Sequence, residues 1–239
     1  MRRWIIIRLT LAFVSAASIL TPGLLRVLAQ SAPLDTADLD RAFHAVGRNQ
    51  DWEPILRQSN GLEVMLVPTG CFMMGKTVLQ LESALESCER FFGSGNCQID
   101  FQALEQPPYE KCIDQPFWIG LTKVTNRQYG TPRYTEKEGH YRGRSWPVEA
   151  VSWEEARHFC EANGMRLPTE VEWEYAARGP DSVIYPWGDP FDLDRLVWGM
   201  LNPDDVAQYT AGASWVGALD RSGGVAEWAE DLFKPYDSQ

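Results

Sequence analysis

Short strands, two strongly signalled helices and long ordered loops predict an α+β fold for this chain of 239 residues. Three observations carry that expectation. Two capping boxes, Ser152-x-x-Glu155 and Thr169-x-x-Glu172, each stand directly before a helical apolar pattern. Short apolar runs at 63–67, 71–74 and 117–119 are separated by Pro, Gly and Thr-Gly turn chemistry. Ten Trp occur in a chain with 19 Gly and 15 Pro, and a wide, rigid indole with one N–H to satisfy suits loops pinned by rings. Trp153, Trp173 and Trp187 are expected to gather around a single small sheet.

Taken in order, Met1-Arg2-Arg3 is a basic start, Leu9 to Leu20 is an apolar run, and Val27-Leu28-Ala29 offers modest residues before a cut. That is the pattern of a cleaved export signal at 1–29. Arg8, Pro22 and Arg26 interrupt the uniform apolar stretch that a membrane span requires, although an uncleaved N-terminal anchor is the alternative. Residues 30–60 read as a polar lead-in, with a short helix over Asp38 to Val46, and residues 61–239 as the domain proper. Glu63 to Pro68 and Cys71 to Gly75 read as two strands joined at Thr69-Gly70. An insertion at 76–106 opens with a helix over Val78 to Arg90. Phe117 to Gly120 is the next strand, Thr125 caps a short helix, and Pro147 to Val151 is a further short strand. The Ser152 helix carries Trp153, Ala156, Phe159 and Cys160 on one side and stops at Asn163-Gly164. The Thr169 helix runs from Glu170 to Arg178, before Gly179-Pro180.

The net charge is −11 and falls to −15 once the four arginines of the leader are removed. Such a surface is repelled by phosphate backbones, which argues against a nucleic-acid partner. After signal cleavage no stretch is left to engage a membrane. Export, to a periplasmic or extracellular space, makes the five cysteines candidates for pairing. Cys71 with Cys112 and Cys88 with Cys97 is the favoured arrangement; four cysteines allow three pairings, and sequence alone does not decide among them. Cys160 is expected to be a buried small hydrophobe. Three His without CxxC or HxxxH spacing make a poor zinc set.

From Val67 onward the order of motifs resembles the formylglycine-generating-enzyme, or sulfatase-modifying-factor, family. The residues that carry the likeness are Val67 to Gly75, Phe117-Trp118-Ile119-Gly120, Val124 to Tyr129, Pro147 to Ala156, Arg166 to Gly179, Tyr185-Pro186-Trp187-Gly188 and Gly223-Gly224-Val225-Ala226-Glu227-Trp228. The resemblance implies a variant of the C-type lectin fold. It implies structural calcium at the late turn, with carboxylates from Asp220 and Glu227 and carbonyls from Gly223 and Val225, and a weaker second calcium site near Asn202 with Asp204 or Asp205. Calcium takes oxygen ligands from flexible loops, so the residue types fit. Gly224 and Ala226 depart from the family's Asn and Trp, which weakens the turn.

The resemblance also implies copper- and oxygen-dependent oxidation of a protein cysteine to formylglycine, with a sulfatase-like protein as substrate. Soft thiolates select Cu(I). The family's two copper cysteines follow the late motif, and no cysteine follows Cys160 here. The expectation is an exported relative that is inactive as this chain, its domain incomplete. A truncated reading frame, lost activity, or completion by a second chain would each account for that. The competing expectation is a non-catalytic, calcium-binding, lectin-like interaction module.

Overall fold

Strand β2 (Leu62–Val67) is buried from Val64 onward on both faces, the mark of a central strand. In the computed structural model, which describes residues 35–93, 97, 105–130, 143, 145–198 and 204–233, β2 lies between two antiparallel neighbours. Strand β1 (Leu56–Ser59) pairs it on one side, with Leu56 opposite Met65. On the other side stands the Phe117–Gly120 strand, with Ile119 opposite Met65. β1 was not expected, because Leu56-Arg57-Gln58-Ser59 holds a single apolar residue. What forms it is the turn that follows. Asn60 and Gly61 both take positive φ, 49° and 80°, as a two-residue hairpin of type I′ requires.

Strand β3 (Gly70–Met74) pairs antiparallel with β4 (Tyr109–Ile113) as a separate two-stranded sheet, and Cys71 faces Cys112 across it. Both expected disulfides are present, Cys71–Cys112 and Cys88–Cys97. Helix α2 (Val78–Phe92) fills the start of the insertion, capped by Thr77 and Gln80 in a reciprocal box. The strand after β4 is β5 (Phe117–Gly120). Helices α3 (Asn126–Tyr129), α4 (Trp153–Ala162) and α5 (Glu170–Arg178) each begin at the expected cap, Thr125, Ser152 and Thr169, with both bonds of the box formed.

Two expectations shift. Helix α1 covers Thr36–Ala42, capped by Asp35, instead of Asp38 to Val46. The Asp35 carboxylate takes the Ala37 N–H and so sets an earlier start, and Phe43 ends up exposed. The strand expected over Pro147 to Val151 is reduced to one bridge between Thr125 and Pro147. Ala150 has φ 56°, which no extended strand accommodates.

The core gathers where the last turn of α5 meets the two sheets. Tyr175 is fully buried, with its ring 5.3 Å from that of Phe72 and 5.2 Å from that of Trp215. The Trp215 Nε1–H donates to the Tyr175 carbonyl at 2.9 Å. Trp52, Met65, Leu66, Val67, Ile119 and Val216 are among the other members of the cluster. At the end of the same helix Arg178 is buried. Its Nε donates to Val183 O (2.7 Å), Nη2 to Ser182 O (2.9 Å) and Nη1 to Gly75 O (2.5 Å), and it pairs with Glu174.

Trp153, Trp173 and Trp187 do not surround one sheet. None belongs to the core cluster. The reason lies in the indole N–H: that of Trp153 is satisfied by Ala229 O and that of Trp187 by Pro190 O, each 2.8 Å away in a loop. Trp187 stacks instead on Tyr185, at 5.3 Å. Among the described residues no helix is long and apolar enough to cross a membrane. The leader at 1–29 lies outside the described residues.

Candidate functional site

The chain leaves β5 through Thr122 and Lys123 and returns, about a hundred residues later, in the late glycine turn. Leu219 N–H donates to Leu121 O at 2.7 Å, which ties the turn to the end of β5. Asp220 takes φ 56° and its Oδ2 accepts from Ala207 N–H at 2.8 Å. Asp220 Oδ1 is buried and has no hydrogen-bond partner among the described residues. Gly223 takes φ 78° and bridges Val197, and Gly224 N–H donates to Val197 O at 3.1 Å.

Three of the four residues that the resemblance assigns to calcium converge on one point. That point is the side chain of Lys123. Its Nζ donates to Asp220 O and to Gly223 O (3.4 Å) and pairs with Glu227 Oε1 at 3.4 Å. Lys123 is buried, with 7 % of its side chain exposed. Glu227 Oε2 pairs with Arg221 Nη1 at 3.2 Å, and Arg221 Nη2 donates to Gly120 O at 2.6 Å. Arg221 also lies over the Trp173 ring, at 5.8 Å. Both oxygens of Glu227 therefore face cations. The fourth residue, Val225, lines the neighbouring cavity. Asn202 lies outside the described residues, and Asp204 bonds locally to Asp205 N–H. The oxygen donors suit calcium by type, but a divalent ion does not fit at their centre while the ammonium holds it. Among the described residues no group of three or more His, Cys, Asp and Glu is placed to hold a metal. Lys123 escaped the sequence reading because it sits 97 residues from Asp220, with no local spacing to connect them.

The same turn walls a cavity of about 460 Å³. Trp118 of β5, Tyr129 of α3, Phe159 and Cys160 of α4, Met165 and Trp228 are among its lining. Tyr129 and Phe159 stack at 5.3 Å. Two indole bonds fix the wall: Trp228 Nε1–H to Val151 O (2.9 Å) and Trp153 Nε1–H to Ala229 O (2.8 Å). Such a volume with an aromatic lining is in the range of ligand cavities.

Cys160 is only partly buried, on this cavity, rather than enclosed in the core. Burial pushes its thiol up, and Glu230 and Glu161 push the same way. Four of the five cysteines are in disulfides. The residues present therefore offer no thiolate pair for copper, and copper does not fit them.

Arg166 borders the cavity and is held by Glu172, with Nη1 to Oε2 at 2.7 Å. Burial pushes the Glu172 carboxyl up, but hydrogen bonds from Arg166 and Thr169 outweigh it and hold the group below its ordinary range. A depressed carboxyl stabilises the fold above its unfolded pKa, and that contribution is lost as pH falls through the folded one. Glu172→Gln is therefore expected to lower the melting temperature at neutral pH and to flatten its decline toward about pH 3. Melting curves across that range check it, and an unchanged acid slope would refute it.

Comparison with known proteins follows the same lines. A family model described as "Sulfatase-modifying factor enzyme 1-like domain" matches residues 53–239. The chain is 38 % identical over 134 residues to the inactive C-alpha-formylglycine-generating enzyme 2 of Bos taurus, covering 51 % of this chain and 43 % of that one. It is 31 % identical over 166 residues to the formylglycine-generating enzyme of Streptomyces coelicolor, covering 62 % and 50 %. It is 40 % identical over 97 residues to the hercynine oxygenase of Mycobacterium tuberculosis, covering 38 % and 23 %. The chain thus spans half or less of the length of these relatives. Among solved structures, PvdO from Pseudomonas aeruginosa matches with a TM-score of 0.56 at 19 % identity, over 78 % of each chain. At that identity the likeness speaks for the fold.

Proposed function

The chain belongs to the sulfatase-modifying factor enzyme 1-like family, and on that premise we propose that it is an exported, non-catalytic form of the fold. In this reading it holds a cysteine-bearing segment of a partner protein in the cavity beside α4 and does not oxidise it. The state of the cysteines carries the proposal: four are held in two disulfides, and one thiol, Cys160, remains. Copper-dependent oxidation in this family calls for a pair of thiols, and Cys160 by itself is not a pair. The two disulfides also support an oxidising, exported compartment. The basic and apolar leader at 1–29 supports the same destination, with 30–60 as lead-in and 61–239 as the domain. The name of the cattle relative, an inactive enzyme, is in keeping with this.

The test uses the full chain, Cu(I), oxygen and a cysteine-containing sulfatase peptide. The expected result is no oxygen uptake and no aldehyde in the peptide, together with a change in tryptophan fluorescence as the peptide enters beside Trp118 and Trp228. Copper-dependent aldehyde formation would overturn the proposal. A second reading keeps the family's oxidation and places its thiols outside these 239 residues. The relatives' greater length favours it, and the coding sequence beyond residue 239 tests it.

A further inference from the structure

We infer that the Lys123 ammonium takes the place of a divalent cation in the late glycine turn, so that the chain closes this turn with its own side chain and needs no calcium there. The donors stand on three residues that the family resemblance would give to a metal, with the carbonyl of Asp220 in place of its carboxylate, whose Oδ2 takes Ala207 N–H instead. Asp220 O, Gly223 O and Glu227 Oε1 all meet Lys123 Nζ. An ammonium carries three N–H donors and accepts nothing, and here two carbonyls take hydrogen bonds from it while a carboxylate pairs with its charge.

Charge makes the two occupants exclusive. A divalent ion held by the same oxygens would lie within a few ångströms of Nζ, in a place where 7 % of the lysine side chain is exposed. Repulsion between like charges at that range, in a place largely shut off from water, works against a second cation there. The second carboxylate oxygen of Glu227 is also taken, by Arg221 at 3.2 Å, which removes the bidentate grip that calcium often uses. Arg221 is itself anchored, to Gly120 O at 2.6 Å. Lys123 and Arg221 thus link the end of β5 to Asp220, Gly223 and Glu227 from two sides, which is the mechanical task a structural ion performs. The turn keeps its shape at any calcium level, and so does the cavity wall formed by Val225 and Trp228.

Melting of the full chain in EDTA and in about 10 mM calcium tests this. The native chain is expected to melt at the same temperature in both. Lys123→Ser is expected to melt about 10 °C lower in EDTA, and calcium should recover part of that loss by entering the vacated centre. The inference is overturned if Lys123→Ser melts with the native chain in EDTA, or if calcium raises the native melting temperature and Glu227→Gln abolishes that rise. Should Lys123→Ser fail to fold in either buffer, tryptophan-sensitised terbium luminescence of the native chain decides. A saturable signal that Glu227→Gln removes overturns the inference; the absence of such a signal upholds it.

Discussion

Arg178→Met is expected to lower the melting temperature by about 10 °C, more than a neutral substitution anywhere on the surface. The guanidinium is buried and binds three carbonyls, Gly75 O, Ser182 O and Val183 O, as well as Glu174. Methionine matches the stem in length and volume, so packing is largely kept and the loss is polar. The carbonyls lose charged donors and Glu174 loses its guanidinium while both stay inside the fold. Removing one partner of a buried pair costs about 3–5 kcal/mol. Removing both costs less, so Glu174→Gln combined with Arg178→Met should melt above Arg178→Met alone. If the double variant is additive, the pair is not the source of the effect. Differential scanning calorimetry of the four proteins measures this.

Gly223→Ala is expected to cost about 3 kcal/mol, or about 8 °C in melting temperature. Two effects add. The residue takes φ 78°, where a side chain is strained by about 1–2 kcal/mol. A Cβ would also stand 2.2 Å from Val197 O, a backbone atom that cannot turn aside. The bridge between Gly223 and Val197 must open, and with it the carbonyl that Lys123 binds. Gly224→Ala is a control: it has similar φ, 73°, but its Cβ would meet nothing closer than 3.8 Å. It should lose only the strain. Equal losses in the two variants would show that the contact with Val197 is unimportant.

What the sequence revealed follows the range of each interaction. Capping boxes are complete within four residues, and Thr125, Ser152 and Thr169 start helices where their spacing places them. The disulfides were within reach because Cys88 and Cys97 bracket a short loop and Cys71 and Cys112 fall on adjacent strands. β1 has a local signal in its turn and none in its strand: Leu56–Ser59 is mostly polar, but Asn60-Gly61 is a hairpin turn. The Pro147 to Val151 strand failed for the opposite reason, since five residues of β-like composition carry no hint that Ala150 must turn to positive φ. The site was least legible. Asp220, Gly223 and Glu227 could be named as a donor set, but the cation at their centre comes from another part of the chain, and only the fold brings Lys123 there. Cys160 likewise lies at the right helical spacing for the core and still opens on the cavity, because what α4 packs against is a matter of topology.

The bond between Cys71 and Cys112 sits at the foot of the segment that leaves β3 and returns at β4. A covalent clasp thus closes the loop that carries α2 and its own smaller ring, and α2 is fastened a second time where Gln80 Nε2 donates to Ser182 O at 2.8 Å and Phe91 meets Phe191 at 4.9 Å. The clasp pins the register of β3 and β4 at the facing pair Cys71 and Cys112. A change within that loop therefore reaches the sheet on which Phe72 meets Tyr175 by a second route, through Ser182, which also takes Met73 N–H.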